Sequence, residues 1–315
     1  MALNILKRLL AGVVLLFVVA TVVFLALQLV PGDPARTILT GTGATPTEAA
    51  VQALREQLGL NLPVWQQYLN YLSNLATGSL GTSLQNNQPV LNLVAQRLPR
   101  TLILIATSTA VSLLLGVLIG ASAARFGGWW DKTVLVATSV GVAIPSFVAA
   151  VLLVYVFGVQ LKVLPSGGFV PFERDALGFV RSLVLPTAAL ALGFTGIIAR
   201  MTRSSVLGLG QRDWVRTGRA VGLGEGTVFR RHILRNSLSP VLTVTGLQMG
   251  AMLGGTVIIE RVFNYPGLSG LLIDAVTQRD YPIVQGVVLV IAALFVLLNL
   301  LVDIAYGFLD PRGKN

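Results

Sequence analysis

The sequence predicts an all-α membrane protein with six transmembrane helices and a small helical insertion on one side of the membrane. Three observations carry that prediction. The 315 residues are 54% hydrophobic and only 11% charged, with a mean hydropathy of +0.77, where a soluble domain carries roughly a quarter charged residues. Apolar runs without any charge recur six times, at 9–30, 101–124, 133–161, 182–199, 237–259 and 281–302. At about 1.5 Å of rise per residue, each reaches across a hydrocarbon core of roughly 30 Å. Finally, the basic side chains gather between these runs and not within them.

The first run follows Lys7 and Arg8 and holds only Thr21 and Gln28 as polar side chains. It is longer than the apolar core of a signal peptide, about 7–15 residues, and ends in Pro31-Gly32-Asp33-Pro34. An uncleaved first helix is therefore expected, dividing the chain into 1–30, an insertion over 31–100 and a five-helix core over 101–315. Within the insertion, Thr45 is placed to cap a helix, with Pro46 at its first position and Glu48 completing a capping box. Val51, Leu54 and Leu58 then share a face and Gly59 ends the helix. A second helix follows Pro63, with Trp65, Leu69 and Leu72 on one side and Gly78 as its stop. Both are too short and polar to span. The fourth run is near the short limit unless Arg200 snorkels. Gly116-xxx-Gly120, Gly141, Pro145 and Pro186 allow close helix approach or local kinks. Six spans put both termini on one side, with Lys7, Arg8, Arg125, Lys132, the arginines of 200–235, Arg312 and Lys314. That side is expected to be cytoplasmic, because short cytoplasmic loops carry the excess of Lys and Arg.

Several chemistries are excluded. Without cysteine there is no disulfide, thiolate nucleophile or Cys-ligated zinc, and with His232 as the only histidine no His-pair metal site is expected. The Gly-Lys pair at 313–314 is followed by Asn315, so no phosphate-binding Gly-x-x-x-x-Gly-Lys-Ser/Thr loop exists. The chain is expected to bind neither ATP nor any cofactor itself. A net charge of +10 has a topological explanation first, so membrane lipid is the expected partner of these cations and nucleic acid is not. Glu260 and Asp303 lie at the ends of runs, while Asp131 and Asp280 lie in connections. An ion-coupled transporter places ionisable groups near mid-membrane, so that alternative is disfavoured. Gln28, Ser108, Ser112, Ser139, Ser146, Thr195 and Gln248 are the polar candidates for a translocation path, although a helix–helix hydrogen bond explains each more simply. Glu260 is expected to pair locally or to be solvated.

The most polar connection, 200–236, sets Arg200, Arg203, Arg212, Arg216, Arg219, Arg230, Arg231 and Arg235 against Asp213 and Glu225. Arg200 and Arg203 close the fourth span and Gly208-Leu209-Gly210 breaks it. Asp213 is a candidate cap for a short helix over 214–221, which Gly222-Leu223-Gly224 stops before another begins near Glu225. Gly218 inside it would admit a partner closely, at about 1 kcal/mol of helix propensity relative to alanine. Anchorage on anionic lipid, about 1 kcal/mol per cation near the surface, explains the charge equally well.

The spacing favours a protein partner. Gly222, nine intervening residues and His232-Ile233-Leu234 resemble the cytoplasmic loop signature of permease subunits of binding-protein-dependent ABC importers, Glu-Ala-Ala-x3-Gly-x9-Ile-x-Leu-Pro. Arg216-Thr217-Gly218 stand where that signature has Glu-Ala-Ala, and His232-Ile233-Leu234-Arg235 where it has Ile-x-Leu-Pro. The variant over 213–223 is similar to that of the dipeptide, oligopeptide and nickel branch, in the subunit with the larger outer insertion. Ordered matches extend the resemblance from 31 to 312: Pro31-Gly32-Asp33-Pro34, 78–83, 97–102, Ile144-Pro145-Ser146-Phe147, Leu185-Pro186-Thr187, 260–267, 279–282 and Leu309-Asp310-Pro311-Arg312. It implies the type I ABC importer permease fold in a bacterial inner membrane, a second homologous permease subunit, two ATP-binding subunits that use ATP and Mg, and an extracytoplasmic substrate-binding protein received by 41–100 and 260–280. It further implies that the 213–223 knob seats in an ATPase groove. Asp213, Arg216, Thr217, Arg219 and Leu223 would then be contacts, Gly218 and Gly222 would set the shape, and His232 would mark the register. Peptides are the favoured cargo over nickel complexes, glutathione or oligosaccharide-like solutes.

Overall fold

Helices form wherever a charge-free run is long enough, and local chemistry decides where each one stops. A computed structural model describes residues 2–41 and 46–309. In order, the helices are α1 Ala2–Gln28, α2 Pro34–Gly41, α3 Glu48–Gln57, α4 Val64–Ala76, α5 Val90–Phe126 and α6 Gly128–Ala143. Then come α7 Ser146–Leu153, α8 Ala176–Gly210, α9 Asp213–Ala220, α10 Glu225–Thr227, α11 Arg235–Val262, α12 Leu268–Gln278 and α13 Tyr281–Leu309. A π-helical segment, Val154–Gln160, continues α7, and a second, Val228–Leu234, joins α10 to α11. Among the described residues the one β feature is an isolated antiparallel bridge between Thr82 and Pro89.

Among the described residues, five helices are long and apolar enough to cross a membrane, and the number is six when α6 and α7 with its π-helical continuation count as one span bent by 97°. The run expected as a single helix over 133–161 is thus broken. Its cause is Pro145, which pushes the preceding residue out of the helical region; Ile144 is extended, with ψ 118°. Pro99, Pro186 and Pro240 lie inside α5, α8 and α11 without ending them. The fourth span is longer than its charge-free run: α8 contains Arg181, Arg200 and Arg203, so its length is not marginal.

The chain divides into two compact units. One comprises Met1–Thr101 with Pro266–Val296, the other Leu102–Tyr265 with Leu297–Asn315. In the first, Phe24 of α1 is buried against Tyr68 and Tyr71 of α4, with ring centroids 5.2 and 5.7 Å away. The Thr21 and Tyr68 hydroxyls are 2.7 Å apart. On the side of α4 that the apolar spacing marks, Trp65 and Leu69 are 61% and 54% exposed. The tyrosines pack inward because each offers a large ring to Phe24, and the polar tip of Tyr68 finds Thr21. The cap of α3 is Thr47, whose hydroxyl accepts from the Ala50 amide at 3.3 Å; Thr45 lies outside the described residues, and Pro46 precedes the helix. Glu48 pairs with Arg36 instead of closing a capping box. Asp33 caps α2 through the Ala35 amide at 3.1 Å and binds Arg55 of α3 at 2.7 Å. Ahead of α13, the buried Asp280 carboxylate accepts from the Ser83 hydroxyl and from the amides of Leu84 and Gln85.

In the second unit α8 packs against α6, α7 and α11, burying Leu183, Leu185, Ala189, Leu190, Ile198 and Ala199. The pair Gly116 and Gly120 lets α5 approach α8. A Cβ at Gly120 would lie 2.2 Å from the Ala199 carbonyl oxygen, and one at Gly116 2.6 Å from Ile198 Cγ2. A Cβ at Gly141 would meet nothing closer than 3.7 Å, whereas one at Gly196 of α8 would lie 2.8 Å from the Thr138 carbonyl oxygen of α6. Asp131, in the first turn of α6, forms a two-point pair with Arg203 of α8. Glu260 is buried near the end of α11, which excludes the solvated alternative and not the local pairing.

Candidate coupling site

The polar connection folds as a short helix on an apolar seat. α8 runs through Gly208 and ends at Gly210, so the glycines terminate the helix at their far end and do not interrupt it. The residue capping α9 is Arg212, which makes no side-chain cap bond, and Asp213 is the first helical residue. Its carboxylate still opposes the positive end of the helix dipole. Val215 is the one buried residue of α9. It packs with Val206 of α8 and with Val228 and Ile233 of the π-helical segment, flanked by Leu209, Phe229 and Leu234. An eight-residue helix is too short to persist alone; this cluster holds it.

With Val215 turned in, Asp213, Trp214, Arg216, Thr217 and Arg219 point outward. The Arg216 guanidinium lies 3.8 Å from the Asp213 carboxylate. The Thr217 hydroxyl donates to the Asp213 carbonyl at 3.1 Å, within the helix. The far end closes by backbone geometry. The Gly222 amide donates to the Arg219 carbonyl at 3.0 Å and the Leu223 amide to the Gly218 carbonyl at 3.2 Å, with Gly222 left-handed at φ +85°. This is the Schellman termination, with glycine where an L side chain would be strained and a hydrophobic residue folding back behind it. Leu223 is that residue, its Cδ1 3.6 Å from where a Gly218 Cβ would be. Arg219 then forks onto Glu225 across the turn, at 2.8 and 3.3 Å. Arg125 of α5 lies over the Phe229 ring, 4.9 Å from its centroid. His232 is half-buried in the π-helical segment, its carbonyl accepting from Asn236 at 2.6 Å.

The structure therefore brings the candidate coupling residues into one outward surface with a locked turn. It does not gather the polar candidates for a path in the same way. Ser112 is buried and donates to the Ala191 carbonyl of α8 at 3.2 Å, a helix–helix bond. Ser108 is buried, and its hydroxyl has no hydrogen-bond partner among the described residues. Ser139 is exposed, and Ser146, Thr195 and Gln248 are half-buried, all in the second unit. Gln28 is in the first, donating to Gln67 of α4 at 3.2 Å.

A search for relatives gives the surface a context. Residues 112–315 match the family described as binding-protein-dependent transport system inner membrane component, and residues 1–105 match the N-terminal part of such membrane components. The chain belongs to this family. It is 42% identical over 311 residues to a putative peptide transport system permease protein of Brucella abortus, covering 98% of each chain. It is 39% identical over 313 residues to a probable peptide ABC transporter permease protein of Sinorhizobium fredii, covering 99% of each. The dipeptide transport system permease protein DppB of Alkalihalophilus pseudofirmus is 39% identical over 329 residues, with 98% of each chain covered. This inner-membrane component is thus a multi-pass permease with the type I fold. Two residues that hold this surface in place were not named as coupling residues from the sequence. Val215 is the anchor, and its signal was a branched apolar side chain in a short helix made mostly of polar residues. Glu225 is the ionic clasp, and its signal was an acid just beyond Gly-Leu-Gly in a stretch otherwise rich in arginine.

Proposed function

We propose that the chain is one permease subunit of a bacterial importer of di- or oligopeptides, working by alternating access. A second homologous permease subunit completes the pathway, two partner ATPase subunits supply the work from ATP and Mg, and an extracytoplasmic binding protein delivers the cargo. Both termini and the 200–236 connection face the cytoplasm, and the insertion faces outward. Peptide cargo is supported by the names of the relatives in three organisms. The observation that carries the mechanism is the outward face of α9 on its buried Val215 anchor.

In this reading α9 seats in a groove of one ATPase subunit. Arg216, Thr217, Arg219 and Leu223 make the contact, Gly218 and Gly222 shape it, and Asp213 orients Arg216. Closure of the ATPases on ATP draws the knob with it. Because Val215 ties α9 to Val206 of α8 and, through Val228 and Ile233, to the start of α11, the pull reaches two spans at once. The chain transmits work and catalyses nothing; hydrolysis belongs to the partners.

The test is substrate-stimulated ATP hydrolysis by the assembled complex in proteoliposomes. Gly222→Asp strains the left-handed turn and Arg216→Glu inverts a contact charge, and each is expected to abolish stimulation while the chain still inserts and assembles. Stimulation at the unaltered level in both variants would sink the assignment.

A further inference from the structure

The first compact unit contains two adjoining cavities that the coupling mechanism does not use. One, of about 220 Å³, lies among α1, the loops around α4 and the start of α13, and its wall contains no acidic or basic side chain. Leu58, Leu60, Leu80 and Leu84 supply apolar surface, and the carboxamides of the half-buried Gln285 and of the solvent-exposed Asn70 and Asn74 line it without a hydrogen-bond partner among the described residues. Tyr71 lines it as well, and its hydroxyl is buried with no partner. Burial and the neighbouring Tyr68 push this phenol up to about 12, so it stays a neutral donor lacking an acceptor. Buried polar groups are nearly always satisfied, and an orphan calls for an absent water or guest.

The second cavity, about 330 Å³, shares Leu27, Gln28, Leu60, Gln67 and Tyr281 with the first and adds Asp33 and Arg55. The Gln28–Gln67 hydrogen bond, 3.2 Å long, joins two residues common to both walls. Gly32, also in the second wall, lies directly against the guanidinium of Arg279, whose Nη1 is buried and has no hydrogen-bond partner.

A carboxamide offers both a donor and an acceptor, as a peptide group does. Carboxamides open to the cavity among leucines suit an uncharged stretch of main chain with small side chains, and the adjoining Arg55, paired with Asp33 at 2.7 Å, suits a charged end that shares its guanidinium. We infer that the two cavities form one site for a free di- or tripeptide, with main chain against Asn70, Asn74 and Gln285 and a terminus toward Arg55. The inference rests on the reading of the protein as a peptide permease and adds a holding site within the insertion.

The experiment uses the full chain in lipid nanodiscs without its partners and two probes, trialanine and N-acetyl-trialaninamide, with binding read by equilibrium dialysis. Asn70→Ala and Gln285→Ala remove side chains that have no hydrogen-bond partner among the described residues. Each is expected to weaken both probes about fivefold, the worth of one hydrogen bond, and Tyr71→Phe, which also removes no internal bond, to do the same. The capped probe is expected to bind about fivefold more weakly than trialanine. Unchanged affinity in all three variants, or no binding to the chain, overturns the site; equal affinity for the two probes overturns the assignment of a terminus to Arg55. Import of trialanine by the assembled complex is measured alongside. Import without variant-sensitive binding leaves the peptide reading standing and removes the site, whereas variant-sensitive binding without import does the reverse.

Discussion

Arg203 and Asp131 are the charged residues whose pairing matters most to the helices that hold them. Their side chains are 24% and 18% exposed, and the two-point geometry joins α6 to α8. Removing one partner of such a pair leaves the other partly desolvated and alone, a loss of about 1–3 kcal/mol. Arg203→Met is therefore expected to lower the thermal midpoint of the detergent-solubilised protein, and the double variant Asp131→Asn with Arg203→Met to lower it less than the sum of the two single changes. An additive double variant would show that the pair contributes nothing. The sequence marked Asp131 as lying in a connection because charge alone cannot reveal that a helix begins three residues before it. Gly222 was legible for the opposite reason: Gly-Leu-Gly is a local signal, and a left-handed turn needs no distant contact to be anticipated.

Among the elements, the approach of α5 to α8 sets the tightest steric demand. Gly120→Ala places a methyl 2.2 Å from a backbone oxygen that cannot step aside, so it is expected to destabilise the protein by about 1–3 kcal/mol. Gly218→Ala is the control on α9, where the new methyl meets only Leu223 at ordinary contact distance. It is expected to leave stability unchanged or slightly raised in the isolated chain, so that any loss in the assembled complex reports the partner surface. Melting curves of the two variants in one detergent decide both points. Helix existence was readable from apolar runs, and Gly59 and Gly78 mark the ends of α3 and α4 as anticipated, each left-handed. The inward face of α4 was not readable, because apolar side chains at helical spacing do not say whether a neighbour arrives to cover them. Here Phe24 of α1 meets the tyrosines, a contact separated by more than forty residues of sequence. The break between α6 and α7 was signalled by Pro145, but Pro186 gave the same signal and left α8 whole. Proline sets a local preference, and the packing around it decides whether the helix yields.

At the scale of the whole molecule, the absence of cysteine makes any single introduced thiol a probe without background. In intact cells a membrane-impermeant maleimide is expected to label Gln57→Cys of α3 and to leave Arg230→Cys unlabelled until the membrane is opened. The reverse pattern would invert the proposed orientation. The fold class was available from hydropathy alone, because a bilayer leaves a chain few ways to satisfy its backbone. The division into two units was not, since it depends on segments distant in sequence coming together. Nor was the π-helical passage Val228–Leu234 that links the knob to α11, since wide helical turns have no distinctive composition. That passage makes the distance from Gly222 to His232 a matter of phase. One residue is worth about 100° of rotation about an α-helix axis and less in a wider π-helical turn, so a single deletion there, even one sparing every exposed contact, would turn the outward face of α9 away from the direction in which α11 now holds it.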